Sequence, residues 1–450
     1  MVLFTGEQII FALLFGVVFL FITFYEEKKL MIVLFGVSIV TGVAYILIED
    51  FSFEGTFSHI DWEVILILFS MSLLVEALIE LRIFDFVSLK ILIFAKGSTT
   101  SLHIIFFVIT FFISAFLDNI TAIILMGRLT LSICKGLHIN PKGFILSEIF
   151  ATELAGISSP VSSLPSIIIG VEGELSFIDF FLVNGPLLVI IVPLSILWFY
   201  YLQIHKTNLN LDDLKEEIRS TIDLALFDFE FIIGRRKNII ISVVVLFFMI
   251  LGFIIVGVLP KDLPDVSIAY VALSGAVLLI ILTRQKMDYL ITKVHWESII
   301  FFIGLFLLVG ILEQSHFITS IASFMIETTQ GDVGLFGLLI IVISAPLSAI
   351  VDNIPTTAAL APIIIELSQT DPNITVNSLH FLWFILLSSV TFGAGFTPIG
   401  SATSIIGLGM LRADGIKVNL KEFVKMISLL SLIMLLISSA YYFLIFRMIF

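Results

Sequence analysis

The sequence predicts an all-α polytopic membrane protein built from two inverted repeats. Composition, the length of the apolar runs and a recurring motif carry this reading. The chain has 450 residues, of which 59% are hydrophobic and only 13% charged, about half the charge of a soluble domain. Apolar runs near the ~18 residues needed to span a bilayer recur from end to end; residues 9–24, 30–48, 177–202, 239–258 and 423–446 are examples. The runs lack the short alternating pattern of a membrane barrel. The first has no basic residue before it and no small-residue cleavage site after it, so it reads as a retained helix. The single cysteine, Cys134, excludes an internal disulfide and a thiolate metal cluster.

The motif is Ser114-Ala115-Phe116-Leu117-Asp118-Asn119-Ile120-Thr121, echoed by Ser348-Ala349-Ile350-Val351-Asp352-Asn353-Ile354-Pro355. The offset is 352 − 118 = 234 residues, and Trp62-Glu63 matches Trp296-Glu297 at the same offset. A shared Trp-Glu and a shared Ser-Ala-x-x-Asp-Asn-Ile at one gapless spacing mark an internal repeat.

Charge gives the orientation. Basic residues cluster at 28–29, 82–96, 135–142, 206–237, 284–293 and 412–425, and the intervening loops are acidic. The positive-inside rule places the basic loops in the cytoplasm and the N-terminus outside. The segment between Lys96 and Lys135 must then enter from the cytoplasm and return to it, with Asp118-Asn119 at its tip. Asp352-Asn353 is likewise the turning point of a hairpin entered from outside. The Trp62 helix starts outside and the Trp296 helix inside, so the repeats are inverted, an architecture of secondary transporters.

Each half has a second interruption: Glu153-Leu154-Ala155-Gly156-Ile157-Ser158-Ser159-Pro160 in the first, and Gly393-Ala394-Gly395-Phe396-Thr397-Pro398-Ile399-Gly400 in the second. Glycine and proline at membrane depth free backbone groups, which is tolerated only where protein or a wet cavity satisfies them. The expected organisation follows. Residues 1–50 form N-terminal helices. Repeat 1 covers 51–202, with a re-entrant hairpin at 101–136 and a broken helix at 143–170. A cytoplasmic linker covers 203–237, including a surface helix at Leu211–Ile222, and residues 238–285 form helices between the repeats. Repeat 2 covers 286–450, with a hairpin at 334–369 and a broken helix at 379–411. That makes about ten transmembrane helices, two re-entrant hairpins and two broken helices.

Two tips and two breaks converge on one polar site. A carboxylate inside the bilayer costs at least ~2.5–3.5 kcal/mol, so keeping Asp118 and Asp352 points to paired ligands. Asn119, Thr121, Asn353 and Thr356 add the hard oxygens a small cation prefers. Ser158, Ser159, Thr397, Ser401 and Ser404 line the breaks. The bland reading of each Asp is a helix cap, which is compatible with ion binding. Glu153 either joins the site or pairs with Arg128, and Gly156, Gly393 and Gly395 either break helices or let them pack closely.

Stretches Ser114–Thr121, Ser348–Pro355, 156–170 and 393–407 resemble the ion transporter superfamily of arsenite pumps, D-type sodium–proton antiporters, the melanosomal P protein and divalent-anion/sodium symporters. The resemblance implies a two-repeat scaffold with a hairpin and a broken helix per half, an elevator-type movement and a homodimer. It assigns Asp118, Asn119, Asp352 and Asn353 to the tips and Ser158, Ser159, Thr397 and Ser404 to the breaks. It departs at Glu153, where many relatives carry Asn, and at Ser163 and Ser166, where they carry Asp and Asn.

Together these give a non-enzymatic secondary active transporter in the plasma membrane, whose partners are a small ion and the lipid bilayer, not nucleic acid. It needs no cofactor beyond the coupling ions H+ and/or Na+. Na+/H+ antiport comes first because three acids and no Lys or Arg converge on the site. The alternatives are arsenite or antimonite efflux and sodium-coupled dicarboxylate symport.

Overall fold

The computed structural model describes residues 4–25, 28–83, 98–203, 205, 236–258, 267–371 and 374–449. The surface helix expected at Leu211–Ile222 and most of the linker lie outside them. Regular elements among the described residues are helical, and nine are long and apolar enough to cross a membrane. Many start at a polar cap that satisfies orphan amides: Asp61 accepts from the amides of Glu63 and Val64, and Asp332 from that of Leu335.

The repeat is visible in the helix boundaries. Trp62–Glu80 and Trp296–Gln314 both begin and end 234 residues apart (296 − 62 and 314 − 80), as do Asn119–Gly136 and Asn353–Thr370 (353 − 119 and 370 − 136). Thr99–Ser114 and Val333–Val351 also start at that offset (333 − 99). The first hairpin has arms Thr99–Ser114 and Asn119–Gly136; the second has arms Val333–Val351 and Asn353–Thr370. The first broken helix is Lys142–Ala155 followed by Leu164–Glu172, and the second is Val376–Ala394 followed by Ala402–Ala413. The longer leading half in repeat 2 (19 residues against 14) absorbs an insertion of about one helical turn. Beyond it the offset is 402 − 164 = 238.

Packing follows the same symmetry. Each hairpin's leading arm lies along the leading half of its own repeat's broken helix. Each trailing half crosses to the other repeat: Leu164–Glu172 packs on Asn353–Thr370, and Ala402–Ala413 on Asn119–Gly136. The repeats are thus interlocked at the breaks. Around them Lys29–Leu47 packs on Trp296–Gln314, and Ile268–Thr283 on Trp62–Glu80.

The glycines divide between the two roles open from sequence. Gly156 and Gly395 end the leading halves and open the breaks. Gly393 lies within its helix, where a Cβ would meet the Ala345 carbonyl oxygen at 2.5 Å and Cα at 2.6 Å. It is a close-packing residue, and the expectation that it opens the break is corrected. Backbone cannot yield as a side chain can, so Gly393→Ala should destabilise the protein by about 1–3 kcal/mol. Gly409, also helical, has nothing within 4 Å of such a Cβ, and Gly409→Ala should be neutral or stabilising by up to ~1 kcal/mol. Thermal unfolding of the two variants in detergent checks the contrast.

Candidate functional site

The two tips are built at the ends of interrupted helices, so backbone groups there lack helical partners. Repeat 1 solves this with Ser159, whose hydroxyl donates to the Ala115 carbonyl at 2.7 Å. Repeat 2 uses Thr397, which donates to the Ala349 carbonyl at 2.5 Å. These are equivalent bonds: 349 − 115 = 234 and 397 − 159 = 238. Each break thereby holds its own tip.

The cap residues differ more than the motif suggests. Asp118 is extended (φ −61°, ψ 148°), and its carboxylate accepts from the Thr121 amide at 3.0 Å and the Thr121 hydroxyl at 2.5 Å. Asp352 has φ 90° and ψ 152°, a region rarely open to side chains. Its carboxylate accepts from the Asn353 amide at 2.7 Å, and its carbonyl accepts from the Thr356 hydroxyl at 2.7 Å. Asn119 is fixed by the Ser114 hydroxyl at 2.8 Å, whereas the matching Ser348 turns to the Val390 carbonyl at 2.6 Å.

Glu153 is buried (1% exposed) and reaches across the repeat boundary. Its Oε1 accepts from Ser401 at 2.5 Å and from Thr403 at 2.9 Å, while Oε2 has no partner. Arg128 is exposed. Of the two pairings open from sequence, the structure has the one toward the second break.

Between the tips lies a small cleft of about 30 Å³, lined by Asp118, Asn119, Ser163, Asn353, Ser401 and Thr403 with apolar neighbours; its lining contains no Lys or Arg. Four helices start on it, at Asn119, Leu164, Asn353 and Ala402, and each start carries a partial positive charge. A second cleft, also about 30 Å³, lies between the tips and the N-terminal helices and holds Asp352, Lys29, Thr23 and Ser298 among its lining.

The structure therefore brings Asp118, Asn119, Asn353 and Ser401 to one cleft, with Glu153 directly behind Ser401 and Thr403 and Thr121 tied to Asp118. It puts Asp352 on the adjoining cleft. Ser159 and Thr397 serve the tip backbone, and Thr356 serves the Asp352 carbonyl. Ser158 donates to the Ala155 carbonyl at 2.7 Å and lines neither cleft. Ser404 is buried with its hydroxyl unpartnered. Sequence reasoning left out Ser163 and Thr403. Both are legible as hydroxyl residues that directly follow the breaks, and Ser163 also as the counterpart of Ser401 at the 238 offset.

Hairpins and broken helices interlocked around a polar cleft, among helices long and apolar enough to cross a membrane, are the architecture of a membrane transporter. The comparisons agree. Residues 17–391 match the family model described as CitMHS, citrate transporter, and the chain belongs to that family. The uncharacterized transporter Rv2685 of Mycobacterium tuberculosis is 30% identical over 389 residues, covering 86% of this chain and 87% of that one. The P protein of Homo sapiens is 24% identical over 432 residues, and this chain spans about half of it (82% and 51% covered). A solved structure, the YdaH transporter of Alcanivorax borkumensis, shares the fold with a TM-score of 0.57 at 13% identity, covering 89% of this chain and 88% of that one.

The two caps should respond differently to substitution. Asp118→Ala loses two hydrogen bonds and should lower stability by about 1 kcal/mol. Asp352→Gly gives up the bond from the Asn353 amide but relieves about 1–3 kcal/mol of backbone strain, so it should cost less stability than Asp118→Ala. Melting of both variants in detergent measures the difference.

Proposed function

We propose that the chain is a secondary active transporter that exchanges a monovalent cation, Na+ first, for protons by alternating access. The observation that carries this reading is the tip cleft: Asp118 lines it, Glu153 stands behind its Ser401 and Thr403, and no Lys or Arg lines it, while Asp352 lines the adjoining cleft with Lys29. Carboxylate, amide and hydroxyl oxygens suit a small hard cation. A carboxyl at bilayer depth can exchange that cation for a proton, which gives obligatory coupling without a separate gate for each ion. The basic loops support a cytoplasmic linker and an external N-terminus. In this reading the protein resides in the plasma membrane as a homodimer, and Asp118, Asn119, Asp352 and Asn353 bind the ion.

A second reading is cation-coupled symport of a carboxylate. The four helix starts on the cleft favour an anion, Lys29 stands in the adjoining cleft, and the family model bears the name citrate transporter.

Proteoliposomes with a trapped pH dye and an imposed pH gradient separate the two. Antiport predicts proton movement on adding Na+ or Li+, and none on adding K+, arsenite or citrate alone. Asp118→Asn and Asp352→Asn should reduce the signal to that of empty liposomes with folding intact, because Asn caps a helix about as well as Asp. A response that requires citrate moves the assignment to symport, and one to arsenite alone moves it to metalloid efflux. Unchanged transport in both Asn variants reduces the tips to structural caps.

A further inference from the structure

The three carboxyls are not equivalent. Both tip aspartates are engaged by their own helix starts: Asp118 uses both oxygens on Thr121, and Asp352 accepts from the Asn353 amide. Each is held by a backbone amide and stands at a helix start. Glu153 has neither. It sits at the end of its half-helix, where the partial charge is negative. Two hydroxyls donate to one oxygen, and the other oxygen is buried without a partner.

The repeats also diverge here. Position 153 corresponds to 153 + 238 = 391, a buried threonine whose hydroxyl is likewise unpartnered. The caps are duplicated, whereas Glu153 has no carboxyl counterpart in the second repeat. Its bonds to Ser401 and Thr403 tie the first break to the second.

Building on the antiport reading, we propose that Glu153 alone carries the exchanged proton, while Asp118 and Asp352 remain the cation's ligands throughout the cycle. With a proton on Oε2 the side chain is neutral and the cleft is ready to release its cation. Cation binding beside Ser401 and Thr403 favours the carboxylate, and the proton leaves to water in the cleft. One proton is exchanged for one monovalent cation, with no other bond made or broken.

Apart from Asp118, the neighbouring titratable groups stand away from the tip cleft. His103, on the leading arm of the first hairpin, meets the Ile196 carbonyl at 3.3 Å and the Ser147 hydroxyl at 3.4 Å. Glu148, on the same half-helix as Glu153, accepts from Thr130 at 2.5 Å through one oxygen and buries the other without a partner, but it has no bond to the second break; Cys134 is buried on the return arm. Lys135 pairs with Asp414 at 3.7 Å and Lys142 with Glu422 at 3.2 Å, at the ends of their helices away from the cleft. Arg412 closes the far end of Ala402–Ala413, and Lys425 follows in the π-helix Val424–Ser428. Of all these, none lines the tip cleft; Asp118 does.

The test is equilibrium binding of radioactive Na+ to the purified full-length protein in detergent, from pH 5.5 to 8.5. The wild type should lose affinity as pH falls, approaching tenfold per pH unit. Glu153→Gln should bind more weakly but with no pH dependence. Ser401→Ala with Thr403→Val removes the donors that stabilise the carboxylate. It should move the pH of half-loss upward by about one to two units, a shift that a purely structural role does not produce. Retention of the wild-type slope by Glu153→Gln puts the proton on a tip aspartate and overturns the proposal. If that variant does not fold, an unmoved midpoint in the double variant overturns it instead. A wild type that binds neither Na+ nor Li+ at any pH overturns the antiport reading itself, and this proposal with it.

Discussion

The structure depends on the satisfaction of backbone groups where the bilayer supplies no water. A hairpin tip or a helix break at that depth leaves carbonyls and amides that cost several kcal/mol each if unpaired. The solution is the pair of hydroxyl bonds from Ser159 to Ala115 and from Thr397 to Ala349. Each break exists beside a tip that needs its hydroxyl, and each tip is stable beside a break that offers one. Ser162, Ser163 and Ser166 extend this in repeat 1, where all three hydroxyls reach the freed Gly156 carbonyl. At Gly400, a Cβ would strike the carbonyl oxygens of Ser348, Ala349 and Ala394, so those carbonyls crowd the second break.

Once the tips are held, their chemistry follows. Interrupted helices bring four starts to one cleft, and cap residues must stand there. Aspartate caps two of those starts and offsets the partial positive charge there; Asp118 lines the tip cleft and Asp352 the adjoining one. The same residues are therefore caps and candidate ligands, and the two roles do not compete. Glu153 is of a different kind: it caps nothing, lies at a helix end and gathers donors from the opposite repeat.

Much of this was legible in the chain. The gapless match from Trp62 to Trp296 and from Asp118 to Asp352 foresaw helix boundaries that recur at the same spacing, because register within a packed repeat tolerates little slippage. The Gly-Pro punctuation marked the breaks. Three features were not legible. Gly393 resembles a breaker, but its role depends on how closely Val333–Val351 approaches, which no local pattern reports. The choice of Glu153 between Arg128 and the second break is a tertiary matter: exposure takes Arg128 away, and interlocking of the trailing halves brings Ser401 and Thr403 near. The left-handed backbone at Asp352 is invisible in a motif it shares with the unstrained Asp118.

The account rests on a cation bound between the two tips, and anomalous scattering from Tl+ used in place of Na+ would locate it directly in crystals of the full-length protein. The account predicts an anomalous peak in the tip cleft, within ligand distance of oxygens from Asp118 and the Asp352-Asn353 pair, that vanishes when Na+ is added in excess. A peak confined to the surface, or a cleft that binds Tl+ equally well in Asp118→Asn and Asp352→Asn, would contradict it.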